Sequence, residues 1–578
     1  MQKIHGLKYL WKLPERDQPL LFEVASRYNL SIPIAQMLIS RGFTSPEQLD
    51  AYLFSSFERD VAHPSCMKDA QKAVDRIVYA LENSENILIF GDYDVDGITS
   101  SAMMMRCLLP LGAQVNFFLP HRVKDGYGLS TKVVNRAADN GYKLIITVDN
   151  GITAFEPASM AKERSIDLII TDHHRPHDHL PDAFAIVNPN QIDCPYPFKG
   201  LAGVGVTFKL LSLLYEKKGL PLPSKVYELL LLGTIADVVP LEGENRFWVR
   251  HGLKHANTVE SFALKTLKSN GRVVKPLMRA MDIGFSIAPQ INALGRLEDP
   301  RQGVKFLIGS DEQEIEHVGK VLFELNEARK TIERTIFESI EQQILSGAIN
   351  VEKENIIMAA SDAWPPGVIG LVASRFVGKY GKPTILFHLT KHGLAKGSCR
   401  SITEFNMFNA LVECKELLEQ FGGHSAAAGL SLKQENLPHL KQRLEEIILR
   451  ELAPEDLQQK LQLDAYAQLS DIGSKLVHDM DLLEPFGHKN AQPSFYIPAV
   501  TLVQKPVLLK DAHVKCSIFS DGVIKPIIFF NRPELFELFM QQETESFDVA
   551  VNVTENYWNG KTTIELLGID VAGLQGKV

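Results

Sequence analysis

The stretch ILIFGDYDVDGITS, residues 87–100, sets three carboxylates, Asp92, Asp94 and Asp96, at every second position between an apolar run and a glycine. Ile87–Phe90 is apolar and rich in β-branching, and a polar ENSEN segment precedes it, so it reads as a fully buried strand. Alternate residues of an extended chain point the same way. If the extension continues, the three carboxylates share one face. Crowded carboxylates raise one another's pKa unless a cation neutralises them. Two readings follow: a divalent metal site at the carboxyl end of a strand, or an acidic turn that caps the next helix.

The pattern repeats outward from there. The runs VNFFL (115–119), LIITV (144–148), LIIT (168–171) and FAIV (184–187) alternate with segments of helical spacing, the signature of a parallel α/β sheet. Asp149 follows one run directly, and Asp172, His173 and His174 follow another. Asp237 ends an apolar helical run in GTIADVVP (233–240). Ligands of open α/β sheets gather at the carboxyl ends of strands, so these loops are expected to converge. Carboxylates mixed with imidazole suit Mg²⁺ or Mn²⁺, with imidazole shifting the preference toward Mn²⁺. Singly, each has a plainer reading: an Asp after a strand is often a helix cap. His177 and His179, further into the polar loop, read as surface residues.

The 578 residues exceed one core, and 45% apolar with 23% charged residues is an ordinary globular composition. No apolar run reaches the length of a membrane span. The opening MQKIHGLKYLWKLPERD lacks the apolar core of a signal peptide. Six scattered cysteines without a CxxC pair speak against a zinc ribbon or disulfide framework, and a cytoplasmic location is expected. The net charge of −9 argues naively against a nucleic-acid partner, yet a strand groove needs only a local positive field.

Five regions are expected: an N-terminal helical cap (1–80), an α/β domain (81–310), a connecting helix (311–346), a mixed α/β domain (347–455) and a β-rich domain (456–578). The helix is read from Ile315, Val318, Leu322, Leu325, Ile332, Ile336, Ile340 and Ile344 at three- and four-residue spacing. The last region reads as a small barrel or sandwich, OB-like in one version, with a hairpin turn at Asn559-Gly560. No P-loop appears, so ATP is not implied.

Together, GDYDVDG (91–97), VDNGIT (148–153), DHH (172–174) and GTIADVVP resemble the DHH phosphoesterase superfamily. INALGR (291–296), GVIGLVASR (367–375) and FGGHSAAAG (421–429) narrow the resemblance to its bacterial exonucleases specific for single-stranded DNA. It spans about 85–578 and implies a parallel-sheet DHH domain, a long helix, a DHHA1 domain and an OB-like nucleic-acid-binding domain. It also implies a 5′-to-3′ exonuclease of DNA repair and recombination that uses two divalent cations, Mn or Mg. The substrate would be single-stranded DNA with a recognised 5′ phosphate. A single-strand-binding protein and a helicase are the implied partners, and the chain is expected to act as a monomer away from membranes.

The same resemblance carries roles onto these positions. Asp94 and Asp96 resemble the DxD metal ligands, Asp149 the carboxylate bridging both ions, His173 the imidazole ligand and Asp237 the last carboxylate. His174 resembles the histidine that stabilises charge at the scissile phosphate. Where many members carry a further histidine, this chain has Phe90. That leaves one metal short of a familiar ligand, with Asp92 or water as the substitute. Arg122, Arg296 and Ser374 with Arg375 are the implied phosphate clamps, since guanidinium holds two phosphate oxygens. Gly422, Gly423 and His424 would form a helix start approached by a backbone phosphate; tight packing of small residues is the alternative. Tyr127, Phe421 and Trp558 could stack bases or fill cores. Two other functions compete: a DHH phosphodiesterase for short RNA or cyclic dinucleotides, and an inactive single-strand-binding relative.

Overall fold

The computed structural model describes residues 2–121, 125–541, 546–558 and 561–574. Arg122 and the Asn559-Gly560 turn therefore lie outside the described residues, as does the side chain of Trp558.

The first sheet consists of Asn86–Gly91, Gln114–Phe118, Tyr142–Val148, Asp167–Thr171 and Ala185–Val187, all parallel. The second strand in the chain lies outside the first, and the third, fourth and fifth follow on the other side. The chain thus switches direction beside Asn86–Gly91, and a crevice opens at the strands' carboxyl ends there. Burial on both faces explains the unbroken apolar runs. Ile87, Ile89, Leu144 and Ile146 pack against Val95–Leu108 and Gly203–Lys218. Leu88, Phe90, Ile145 and Ile170 face Thr131–Asp139 and Phe155–Glu163.

Helix Glu312–Leu345 starts at Asp311, whose carboxylate accepts from the Gln313 and Glu314 amides. Its first half places Ile315 and Leu322 in the core of the parallel sheet. Its second half places Ile336 and Ile340 in a separate core with Phe376 and Leu386. That core belongs to a five-stranded sheet in the order Gln420–Gly423, Ala427–Lys433, Leu394–Arg400, Thr384–Leu389, Ile357–Ser361. Only the last strand pairs in parallel.

The C-terminal sheet has seven strands, and Ser494–Leu502 pairs additionally with His513–Ser520, which curls it into a barrel. Two features differ from the sequence expectation. The N-terminal segment is not purely helical: Lys3–His5 and Leu10–Lys12 pair with each other, and Leu10–Lys12 also pairs with Lys460–Gln462. Its helices bury Leu21, Ile34, Leu38 and Leu53 with the barrel core. The glycines of FGGHSAAAG start no helix. They form an antiparallel hairpin in which Gly422 faces Gly429, and a Cβ on Gly423 would lie 2.5 Å from the Ala427 carbonyl oxygen.

Candidate metal centre

The acidic loops converge at the switch point. Asp94 is the N-cap of Val95–Leu108 and accepts from the Gly97 amide at 3.1 Å. The capping and metal readings are thus compatible, because one carboxylate oxygen can cap while the other faces the crevice. Gly97 is dictated by space: a Cβ there would lie 2.5 Å from the Asp92 backbone nitrogen. Asp96, at the start of the same helix, accepts from the Gly203 and Val204 amides, each at 2.7 Å. Those amides open helix Gly203–Lys218, so its positive end faces a buried carboxylate.

Asp149 takes a left-handed φ of 62°, rare outside glycine. Its amide donates to the Thr171 carbonyl at 3.0 Å. A Cβ on Gly203 would come within 2.6 Å of Asp149 Cβ, so the helix start fits only as glycine. Asp172 organises the histidine pair. It accepts from the His173 amide (2.7 Å), the His174 amide (3.0 Å), the Ile152 amide (2.9 Å) and His174 Nδ1 (2.7 Å). Asn188 and Asn190 hold the His174 and His173 carbonyls. Asp237 terminates helix Val226–Ala236.

His173 Nε2 lies 3.2 Å from Asp149 Oδ1, 3.6 Å from Asp237 Oδ2 and 3.9 Å from Asp96 Oδ2. Among the described residues, ligand atoms gather into three close groups: Asp149, His173 and His174; Asp96, His173 and Asp237; Asp92, Asp94 and Asp149. Asp149 belongs to two of them. His173 Nε2 and Asp237 Oδ2 are buried without a hydrogen bond among the described residues. Burial and the Asp94 charge push Asp96 up to about 7. Burial and the surrounding carboxylates also raise Asp149 and Asp237 well above the usual carboxylate range. Burial and the neighbouring His174 lower His173 to about 4, which keeps its imidazole neutral and able to ligate. For His174 burial works downward, but the Asp172 hydrogen bond and charge prevail and lift it to about 9. Buried negative charge with orphaned ligand atoms is the chemistry of a divalent-cation site.

The remaining candidates lie elsewhere. Phe90 is fully buried and stacks on Phe118, centroids 5.9 Å apart, away from the carboxylates. Arg296 donates to the Gly367 carbonyl at 2.7 Å and so reaches the helix Pro366–Tyr380 that carries Ser374 and Arg375. Ser374 Oγ donates to the Gly370 carbonyl, and Arg375 lies over the Phe337 ring at 4.2 Å. Gly422, Gly423 and His424 sit in and beside the hairpin. The Tyr127 ring stands 6.4 Å from that of His174, and Phe421 meets Phe408 at 5.9 Å. His177 and His179 pack on Phe155. Sequence reasoning missed Gly203, Asn188, Asn190 and Asn292, whose carboxamide oxygen accepts from the Val95 amide at 3.2 Å. The NPN triplet directly after FAIV was a usable signal for the two asparagines.

The parallel sheet and its carboxylate–histidine crevice define a DHH-type phosphoesterase. Residues 86–234 match the N-terminal domain of the DHH family, 353–450 the DHHA1 domain and 463–570 the RecJ OB domain. The single-stranded-DNA-specific exonuclease RecJ of Bacillus subtilis is 36% identical over 569 residues, 98% of this chain and 71% of that protein. RecJ of Escherichia coli K12 is 32% identical over 92% of this chain and 94% of that protein. The crystal structure of RecJ from Thermus thermophilus in complex with Mn²⁺ superposes with a TM-score of 0.82 at 27% identity, over 98% of this chain and 80% of that one. The chain belongs to the RecJ family of single-stranded-DNA-specific exonucleases.

Proposed function

We propose that this chain is a metal-dependent exonuclease that hydrolyses single-stranded DNA from the 5′ end to nucleotides. The observation that carries the reading is the position of Asp149. It belongs to two ligand groups at once, as His173 also does, and of the two only the carboxylate has two oxygens to offer two cations. Asp94, Asp96, Asp149, His173 and Asp237 would hold two ions, Mn or Mg, with Asp92 beside them. Such a pair supplies activated water and neutralises the attacking and leaving oxygens of a phosphoryl displacement. The donor set fits: oxygen ligands with one neutral imidazole.

The chain's own residues do the rest. His174, held protonated by Asp172, donates to a non-bridging oxygen of the scissile phosphate as its charge grows. Asp172 fixes the His174 ring and the backbone amides of both histidines. Arg296, Ser374, Arg375 and Arg122 bind the 5′-terminal phosphate, which counts the end rather than the sequence. The work divides among a catalytic module (81–310), the connecting helix (311–346), an end-binding module (347–455) and a strand-binding barrel (456–578) completed by the N-terminal helices. No helix among the described residues is long and apolar enough to cross a membrane. The enzyme works as a cytoplasmic monomer in repair and recombination, on strands exposed by a helicase and covered by a single-strand-binding protein.

The test uses an oligonucleotide with a 5′ phosphate and a 3′ label, in Mn²⁺ or Mg²⁺, beside Asp149→Ala and a fully duplex substrate. A ladder shortening from the 5′ side, absent with the variant and on duplex, is expected. Cleavage of dinucleotides alone would replace the reading with a small-substrate phosphodiesterase.

A further inference from the structure

The turn that carries Asp92, Asp94 and Asp96 rests on one helix, Ala288–Leu297. Asn292 Oδ1 accepts from the Val95 amide at 3.2 Å. Val95 opens helix Val95–Leu108, between the N-cap Asp94 and Asp96. Its amide is one of the donors that a helix start leaves without a partner inside the helix. The Asn292 carboxamide therefore settles a turn in which two predicted ligands stand. Three residues on, Gly295 lies against Tyr93: a Cβ there would come within 2.2 Å of the Tyr93 carbonyl oxygen.

Arg296, the next residue, turns to the neighbouring module. Its Nη1 donates to the Gly367 carbonyl at 2.7 Å, and a Cβ on Gly367 would lie 3.1 Å from the Arg296 carbonyl oxygen. Gly367 stands in the first turn of helix Pro366–Tyr380. Asn292, Gly295 and Arg296 fall at i, i+3 and i+4, which is one face of a helix. That face meets the acidic turn and the neighbouring module together, and neither glycine contact has room for a methyl group. The start of the helix is fixed as well. It follows a π-helical turn, Ile283–Ile287, a device concentrated at functional sites. The buried Gln290 carboxamide donates to the Ser286 carbonyl in that turn (2.6 Å) and to the Leu267 carbonyl (2.9 Å).

We propose that Asn292 is a positioning residue of the reaction, through which capture of the 5′ phosphate and binding of the divalent cations are coupled. Arg296, Ser374 and Arg375 stand on the two helices that meet at Gly367. A phosphate held among them fixes helix Ala288–Leu297 against Pro366–Tyr380. Asn292 and Gly295 pass that placement to the acidic turn, and Asp94 and Asp96 take up their ligand positions. A strand whose end is not seated meets a weaker metal centre, so hydrolysis waits for the end. Coupling between two binding events is reciprocal: the cation must tighten the hold on the 5′ phosphate by the same factor. This inference rests on the exonuclease reading.

The test follows free Mn²⁺ by electron paramagnetic resonance as the protein is titrated, in saturating oligothymidylate with either a 5′ phosphate or a 5′ hydroxyl. The linkages nearest the 5′ end are methylphosphonates, which resist hydrolysis and carry no charge to offer a cation. Wild type is expected to bind Mn²⁺ at least about fivefold tighter with the phosphate, the lower end of ordinary coupling. Asn292→Ala is expected to abolish the difference between the two ends, and Asn292→Asp, which keeps an accepting oxygen, to retain it. Gly367→Ala disturbs the far contact of the same helix and is expected to shrink the difference without touching the acidic turn. A difference that persists in both Asn292→Ala and Gly367→Ala, or a wild type indifferent to the 5′ phosphate, would overturn the coupling while leaving the exonuclease intact. Absence of strand digestion by the wild type would overturn the function and the coupling with it.

Discussion

His173 Nε2 and Asp149 Oδ1 stand 3.2 Å apart, with no hydrogen bond to the imidazole nitrogen among the described residues. A neutral imidazole facing a carboxylate across that gap gains little by itself. A cation bound by both atoms turns the pair into a strong site. Asp149→Asn is therefore expected to act in opposite directions on stability and activity. In chelator, at a pH high enough to ionise Asp149, the variant melts higher than wild type, because one buried like charge is gone. Strand cleavage falls by at least about a thousandfold, beyond the ten- to hundredfold typical of losing an outer partner. Thermal melts with and without Mn²⁺, beside a cleavage assay, check both signs. A lower melting temperature in chelator would contradict the electrostatic account.

The metal-free protein should lose stability as pH rises. Asp96 titrates near 7 in the folded chain against an ordinary value of 3.8. The folded state thus binds the extra proton between those values. The resulting stabilisation is complete below about 4 and is lost as pH rises through about 7. Asp96→Asn should lessen that slope without abolishing it, since Asp149 and Asp237 are raised as well, and its carboxamide forfeits one of the two amide partners and lowers the plateau. Melting in chelator from pH 4 to 8 gives the comparison. Mn²⁺ should stabilise the wild type more at pH 8 than at pH 5.

Asp172 is not itself a predicted ligand, yet four donors converge on it. Asp172→Ala should release the His174 ring, loosen the backbone that carries His173, and cost ten- to hundredfold in Mn²⁺ affinity. The Mn²⁺ dependence of kcat measures this, and an unaltered half-saturation would remove Asp172 from the site's support.

The parts of the fold readable in the sequence were those in which local pattern and chemistry coincide. ILIF, LIITV and LIIT are each short and apolar, with Asp or Asp-His-His at or just past the end, so strand and site were legible together. The long helix was equally plain from its isoleucine spacing. What failed depended on distant partners. Lys3–His5 and Leu10–Lys12 are strands of three residues whose third neighbour, Lys460–Gln462, lies far along the chain. No local window holds that information. FGGHSAAAG misled because small residues suit a helix start and a close-packed hairpin alike, and only the pairing of Gly422 with Gly429 decides. Gly203 was invisible for the same reason, since its neighbour is Asp149.

Gly203→Ala tests that close approach. The added methyl would sit 2.6 Å from Asp149 Cβ and 2.7 Å from its Oδ1. Neither can yield, because Asp149 already holds a strained φ and Gly203 donates to Asp96. Overpacking of this kind costs about 1–3 kcal/mol, and here the displacement falls on two predicted ligands. Activity should drop more than the modest melting shift suggests. A fully active variant would show that the helix start slides freely.

Arg246 and Arg250 tie the catalytic module to the barrel side. Arg246 is buried, stacks over Tyr52 at 4.1 Å and donates to the carbonyls of Tyr52 (3.2 Å), Leu483 (2.7 Å) and Leu482 (3.1 Å). Arg250 donates to the Glu484 and Leu53 carbonyls from the same helix, Gly243–Ala256. A buried guanidinium is tolerated only because its plane meets several acceptors at once. Arg246→Ala takes the side-chain donor from the Tyr52 carbonyl, while Leu483 keeps Asn490 and Leu482 keeps Arg250, at a cost of about 1–3 kcal/mol. Arg246→Lys should not restore the loss, since an ammonium is a point donor on a flexible stem and cannot span both chain segments. Calorimetry of the two variants beside wild type is the check. Full stability in Arg246→Lys would mean that charge alone, and not the planar fork, joins the two modules.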